Sequence, residues 1–245
     1  MFAAWPGVGD VALIVARYLR DKLQAEEFGE LEAFRFFEPG GVLVRDNIVE
    51  TPHFPSSKFY FWRNPSGNED LILFMGDEQP PAKAYELAGC LLNVARRFKV
   101  KRVYTCAAAL ARIHHMEKPK VWLVATRQEL LDVAGKYNLT MGGNFQIAGL
   151  NGLLLGAAKE KGFNALCLLG EVPSYATRVS HPKAALAVLE VLTQMLAIQV
   201  DMTELKDWAE KAQEEMKKLA SEAMGEFIQH FTQPLWEQNP HGQEE

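Results

Sequence analysis

Cysteine is scarce in this chain and poorly spaced for chemistry. Cys90, Cys106 and Cys167 are the only three in 245 residues, and no two are set as CxxC. That excludes a disulfide frame and a thiolate zinc site, and it predicts small buried residues in a reducing compartment. Long apolar runs are missing as well. The longest candidate, Ile147 to Ala158, is broken by Asn151 and three glycines, well short of the roughly 20 apolar residues a membrane helix needs. The first residues show no basic stretch followed by an apolar core, so no signal peptide is predicted and the expected location is cytoplasmic. Positive charge is in deficit, with 26 Lys and Arg against 31 Asp and Glu and a formal net charge of −5. Phosphate binding needs concentrated cations, so nucleic acid is not an expected partner. The one basic run, Arg96-Arg97-Phe98-Lys99 with Lys101-Arg102, falls at a predicted helix end, where cations offset the helix dipole.

Standard catalytic signatures are also lacking. There is no GxSxG elbow, no GxxxxGK(S/T) loop and no HExxH pair. His114 and His115 are adjacent, so on a regular element their side chains should diverge, and His181 stands before Pro182 at a predicted helix start. All three read as solvated or capping histidines. No metal, no cofactor and no complete catalytic set is expected, and the reading leans away from an enzyme.

What is present is ordinary globular material, 48% hydrophobic and 23% charged, enough for a core without staples. Phe2-Ala3-Ala4-Trp5 predicts a short strand, Pro6-Gly7-Val8-Gly9 a turn, and Asp10 an N-cap for a helix carrying Val11, Ile14, Val15, Tyr18, Leu19 and Leu23. Short β-like pieces follow at Phe34-Phe37, Val42-Val44, Ile48-Val49 and Phe59-Trp62. Leu71-Met75, Arg102-Cys106, Val121-Thr126 and Ala165-Leu169 are near-continuous apolar runs, predicted as central strands covered on both faces. Helices are predicted over 82–98, 128–136, from Gly149 to Lys161, and over 182–197, with a short strand at Phe145-Ile147. Strands alternating with helices predict an α/β fold with a mostly parallel sheet and helices on both faces.

Several loops could do chemistry. Gly7-Val8-Gly9-Asp10-Val11-Ala12 fits a relaxed dinucleotide pattern between strand and helix, although the strand is short and Asp10 sets a carboxylate where a pyrophosphate would dock. Gly76-Asp77-Glu78-Gln79 and Gly170-Glu171-Val172-Pro173 each follow a buried strand, where open α/β sheets place ligands. Asp77, Glu78 and Glu171 could share one crevice, and Gly149-Leu150-Asn151-Gly152 opens a helix that offers amides to an anion. Equally, the glycines permit turns and the acids cap helices. The ligand-binding candidates are therefore Gly7, Gly9, Asp77, Glu78, Asn151 and Glu171.

The last segment carries one apolar stripe, Leu205, Trp208, Ala209, Ala212, Met216, Leu219, Ala220, Ala223, Phe227 and Phe231, opposite a charged face. A helix over 203–231 is expected, lying on a surface that buries the stripe. Its near half, with Trp208, should pack on its own domain. Its far half, with Met216, Phe227 and Phe231, is the candidate for contact with a second copy. Residues 234–245 are polar and expected to be disordered.

Read in order, WPGVGDVA, LILFMGDEQPPAKAYELAGCLL, FQIAGLNGLLLGAAKEKG and ALCLLGEVPSYATRVSHPKAALAVLEVL resemble the proteasome assembly chaperone 2 family, from about Phe2 to about Leu219. The resemblance implies a three-layer α/β/α sandwich similar to purine nucleoside phosphorylases, without their catalytic set. Here that would be one domain over 1–233 that includes the long C-terminal helix. It also implies self-association, with trimers or larger rings among prokaryotic relatives, and a role in contacts between proteins, since eukaryotic members help assemble proteasome α-rings. Some archaeal members bind the proteasome through a C-terminal hydrophobic-Tyr-any tripeptide, whereas this sequence reads Gln243-Glu244-Glu245 there. The ATP-grasp label sometimes given to such proteins finds no lysine-rich nucleotide loop here. The alternative to an interaction protein is a binder or enzyme for a nucleoside-like or anionic small molecule at the crevice.

Overall fold

The computed structural model describes residues 1–67 and 69–232, with side chains through Lys218. The chain opens with β1 (Phe2–Ala4), α1 (Val11–Leu23) and β2 (Glu26–Glu30), then forms a small hairpin, β3 (Val44–Arg45) and β4 (Ile48–Val49). It continues through β5 (Ser57–Trp62), β6 (Leu71–Gly76), α2 (Ala84–Arg97), β7 (Val103–Ala111), β8 (Val121–Ala125) and α3 (Gln128–Ala134). It closes with α4 (Gly149–Glu160), β9 (Ala165–Pro173), α5 (Pro182–Leu196) and α6 (Thr203–Thr232).

One sheet of 7 strands runs in the order β2-β5-β6-β1-β7-β9-β8. Its centre, β6, β1, β7 and β9, is parallel. β5 is antiparallel to β6 and β2 to β5, while β8 is antiparallel to β9 at the other edge. Helices cover both faces, as the alternation of elements predicts.

Side chains along each central strand point alternately into two cores, because successive Cβ atoms project to opposite faces. Phe2 and Ala4 join the core under α1 and α5, whereas Ala3 and Trp5 join the core under α2 and α4. Leu71, Leu73 and Met75 face the first layer, and Ile72 and Phe74 face the second. α6 lies outside α5, with Leu205 and Ala209 buried.

Several expectations are corrected. Val121–Ala125 is an edge strand rather than a central one, and its burial alternates as a half-covered strand should. Phe34-Phe37 is not a strand: Ala33–Arg35 forms a 3-10 turn that tucks Phe36 and Phe37 into the second core. Phe145-Ile147 is irregular backbone. β2 was not foreseen; its run Glu26-Glu27-Phe28-Gly29-Glu30 is mostly polar, and pairing with β5 alone makes it a strand. Asp10 adopts a left-handed φ of 52° and makes no side-chain cap bond to α1. Trp208 is 44% exposed, on the flank of the stripe rather than in it, so the expectation that it packs on its own domain fails. The side chains of Phe227 and Phe231, and residues 234–245, lie outside the described residues.

The β3–β4 hairpin stands apart from the main sheet. Asp46 and Asn47 at its tip have φ of 49° and 63°, the pair of positive values a type I′ turn demands. Its apolar side chains Val42, Leu43, Val44, Ile48 and Val49 are 49–70% exposed.

Candidate functional site

Because β6, β1, β7 and β9 are parallel, their carboxyl ends lie on one side of the sheet, where Gly7, Gly9, Asp77 and Glu78 sit in the segments that follow. Glu171 is not in a loop as expected but in the last residues of β9 itself, which runs on to Pro173, and Asn151 reaches the same end on α4. They do not form one site. β6 and β9 are separated by β1 and β7, three steps of about 4.8 Å, which keeps Asp77 and Glu171 on the order of 14 Å apart.

Asp77 turns back to its own sheet edge. Its carboxylate accepts the Ser56 amide at 3.2 Å, and its amide donates to the Ser56 carbonyl at 2.9 Å. Glu78 is exposed. The neighbour that connects loops is Gln79, which the sequence reading passed over. Its Nε2 donates to the Pro6 carbonyl at 2.7 Å and its Oε1 accepts the Leu150 amide at 2.9 Å. One neutral side chain thus ties the turn after β1 to the first turn of α4, taking up an amide the helix cannot satisfy itself. Gly149 belongs to this clamp. At φ +67° it has a backbone that disfavours side chains, and a Cβ would lie 2.7 Å from Gln79 Oε1. Asn151, the next residue after Leu150 in the same first turn, is buried, and its carboxamide oxygen has no partner among the described residues.

The Gly7-Val8-Gly9 turn is not a phosphate cradle. Gly7 is extended, with φ −163°, and Val8–Asp10 forms a 3-10 turn. Gly9, at φ +66°, is glycine because His181 packs on it: a Cβ would sit 2.5 Å from His181 Cδ2. The His181 amide donates to the Gly9 carbonyl at 2.8 Å, which fixes the start of α5 against the start of α1. Asp10 receives only a long 3.4 Å hydrogen bond from the Ser180 hydroxyl.

Glu171 faces away from Asp77, toward β8. It is buried, and its carboxylate accepts the Lys120 amide at 3.1 Å and the Trp122 indole N–H at 2.9 Å. Both oxygens are therefore engaged in holding the edge strand, the condition under which a buried carboxylate is tolerated.

Glu171 also forms part of the wall of a cleft of about 30 Å³ beneath α6, together with His115, His181, Lys183 and Gln213. Here the histidine expectation is corrected. The rings of His114 and His115 are 4.0 Å apart rather than divergent, and His115 is only 9% exposed. The Tyr175 hydroxyl accepts the His115 amide at 2.9 Å and pairs with its Nδ1 at 3.1 Å. His115 Nε2 is buried without a partner among the described residues. Lys183 Nζ donates to the carbonyls of His115 at 3.2 Å and Met116 at 2.9 Å, and to the side-chain oxygen of Gln213. Burial lowers the pKa of both groups, and for His115 the nearby His114 and Lys183 add to the effect. His181 does stand at a helix start as expected, although it is buried rather than solvated. The adjacent His pair was the only sign of this cleft in the sequence; its burial depends on α6 folding over it.

Among the described residues no cluster of His, Cys, Asp and Glu could hold a metal ion, and no helix is long and apolar enough to cross a membrane.

Comparison with known proteins places this geometry in a lineage. An uncharacterized protein of Methanocaldococcus jannaschii is 31% identical over 220 residues, covering 87% of this chain and 80% of that protein. The crystal structure of Pyrococcus furiosus PbaB, an archaeal proteasome activator, matches with a TM-score of 0.75 at 29% identity, covering 89% of this chain and 92% of that one. Pyrococcus furiosus PbaA, an archaeal homolog of proteasome-assembly chaperone, matches with a TM-score of 0.71 at 25% identity, covering 94% and 90%. The model of the PAC2 family matches residues 1–220, and the chain belongs to that family.

Proposed function

We propose that this chain is a cytoplasmic, homo-oligomeric interaction protein of the proteasome-assembly-chaperone kind, a trimer by preference, whose client is another protein still to be identified. Proteasome subunits are one candidate, despite the lack of a hydrophobic-Tyr-any tripeptide at Gln243-Glu244-Glu245. In this reading residues 1–233 form one domain followed by a polar tail.

The observation that carries the proposal is the β3–β4 hairpin. Val42, Leu43, Val44, Ile48 and Val49 stand 49–70% exposed on a two-stranded ribbon outside the main sheet. A lone two-stranded ribbon is marginal in water, and exposed apolar patches of this kind mark contact surfaces. The likeness to PbaB and PbaA supports the same reading. The far half of α6, from Met216 through Phe227 and Phe231, is the second proposed contact with a neighbouring copy. The small-molecule alternative gains nothing from the geometry, since Asp77 and Glu171 lie on different sides of the sheet's centre and Glu171 is already engaged.

Light scattering of the wild-type chain at micromolar concentration tests the proposal. It predicts a multiple of the 27.5 kDa chain mass, three for a trimer, and a monomeric mass would overturn it.

A further inference from the structure

We propose that the cleft beneath α6 is a proton-operated latch: protonation of His115 releases the part of α6 from Ala212 onward while the start of the helix stays docked. The inference stands apart from the self-association reading.

The geometry supplies the latch. Lys183 Nζ is the pin, since it joins the carbonyls of His115 and Met116, in the connection from β7 to β8, to Gln213 on α6. All three acceptors are neutral oxygens. The ammonium is therefore held by hydrogen bonds alone, with no carboxylate among its partners in the cleft. The imidazole lines the same cleft as the pin and lies within reach of its charge. Its Nδ1 pairs with Tyr175, and its Nε2 is buried without a partner among the described residues. Whichever nitrogen carries the proton in the neutral ring, a second proton leaves an N–H at Nε2 with no acceptor.

The charged groups around the ring are these. From its own connection come His114, with its ring 4.0 Å away, and Glu117, which accepts the His114 amide at 2.8 Å. β9 supplies Glu171, both of whose oxygens already hold Lys120 and Trp122. α5 supplies Lys183 and His181, the latter paired with the Ala176 carbonyl at 2.6 Å. α6 supplies Glu214, which favours the proton, and Lys217, which opposes it. Burial, His114 and Lys183 are the larger influences, and all three resist protonation.

A histidine held neutral in the closed state stabilises that state fully above its ordinary pKa of about 6.5, and loses that contribution as pH falls through its lowered value. When the ring is finally charged, two cations lie in one cleft with neutral acceptors between them, and the least costly relief is for Lys183 to swing toward water and leave Gln213. The amino-terminal part of α6 has independent anchors. Leu205 and Ala209 are buried, Tyr18 donates to the Asp201 carbonyl at 2.9 Å, and Lys22 pairs with Glu204 at 2.6 Å. The hinge therefore falls between Ala209 and Gln213.

Hydrogen exchange along α6 of the full chain, corrected for intrinsic chemistry, tests this. Between about pH 7.5 and pH 5.5, the range a histidine switch spans, residues 212–218 should lose protection by up to about tenfold, while 205–209 keep theirs. His115→Gln should abolish that pH dependence, and Lys183→Met should leave 212–218 open at both values. Unchanged protection of 212–218 in the wild type, equal loss in His115→Gln, or loss along all of α6 would each overturn the latch. If His115→Gln does not fold, the wild type still decides. The midpoint of the exchange change must coincide with the titration midpoint of the His115 ring measured by NMR, and a mismatch refutes the proposal.

Discussion

The same residue types do opposite things in two parts of this molecule. In the parallel centre, Leu71, Leu73, Val103, Leu166 and Leu168 are buried in β6, β7 and β9. In the β3–β4 hairpin, Val42, Leu43, Val44, Ile48 and Val49 face water. Local propensity is equally satisfied in both, since branched residues suit a pleated ribbon. The difference is layering: β6, β1, β7 and β9 have helices on both faces, whereas the hairpin is paired only with itself. Apolar residues in the first region stabilise the fold. In the second they stay largely in water, where burial stabilises little, as the proposed contact surface requires.

Substitutions can break or sharpen that contrast. The largest effect belongs to the centre. Leu168 is fully buried, and Leu168→Ala should cost about 2–5 kcal/mol in chemical denaturation, the transfer loss plus a cavity. If it costs no more than a surface change, the layered account of the core is wrong. Next comes Gly9→Ala, where positive φ and the His181 ring act together; about 1–3 kcal/mol of destabilisation is expected, read as a lower urea midpoint with an unchanged slope. Gln79→Ala removes the acceptor of the Leu150 amide and the donor to Pro6, so about 1–3 kcal/mol should be lost, with the start of α4 the first segment to gain exchange. The mildest probe is thiol labelling. Cys106 and Cys167 are buried, and burial raises both thiols, Cys167 to about 12, while Cys90 is half-buried on α2. A thiol reagent should modify Cys90 alone until denaturant is added; rapid reaction at Cys167 would show that the centre of the sheet opens.

How much of this the sequence discloses follows from the same contrast. Leu71-Met75 and Ala165-Leu169 are legible as strands because both faces are covered, so each reads as an unbroken apolar run. That same character misplaces Val121–Ala125, since an apolar run does not say which strand is last; the edge is settled by its antiparallel pairing with β9. Glu26–Glu30 is illegible because only its partner makes it a strand, and Phe34-Phe37 misleads because alternating aromatics also suit a turn folded onto a core. At the carboxyl end, Gly7 is legible because strand direction places the turn after β1 there, and Gly149 and Asn151 join it because α4 has to run back before it feeds the parallel β9. Gln79 is not, because its role exists only where two loops meet it. Nor is the burial of His115, which depends on α6, a helix that begins 88 residues later (203 less 115) and whose course over the cleft no local pattern gives.

The hairpin itself offers the most direct measurement. Ile48 is 70% exposed, so Ile48→Asp should leave the subunit's stability within about 0.5 kcal/mol of wild type, as surface changes do. Light scattering of wild type and variant side by side at micromolar concentration should then give an oligomer for the first and a folded species of lower mass for the second. A monomeric wild type, or an Ile48→Asp chain that assembles as the wild type does, would contradict the claim that the hairpin's apolar residues are kept for a partner.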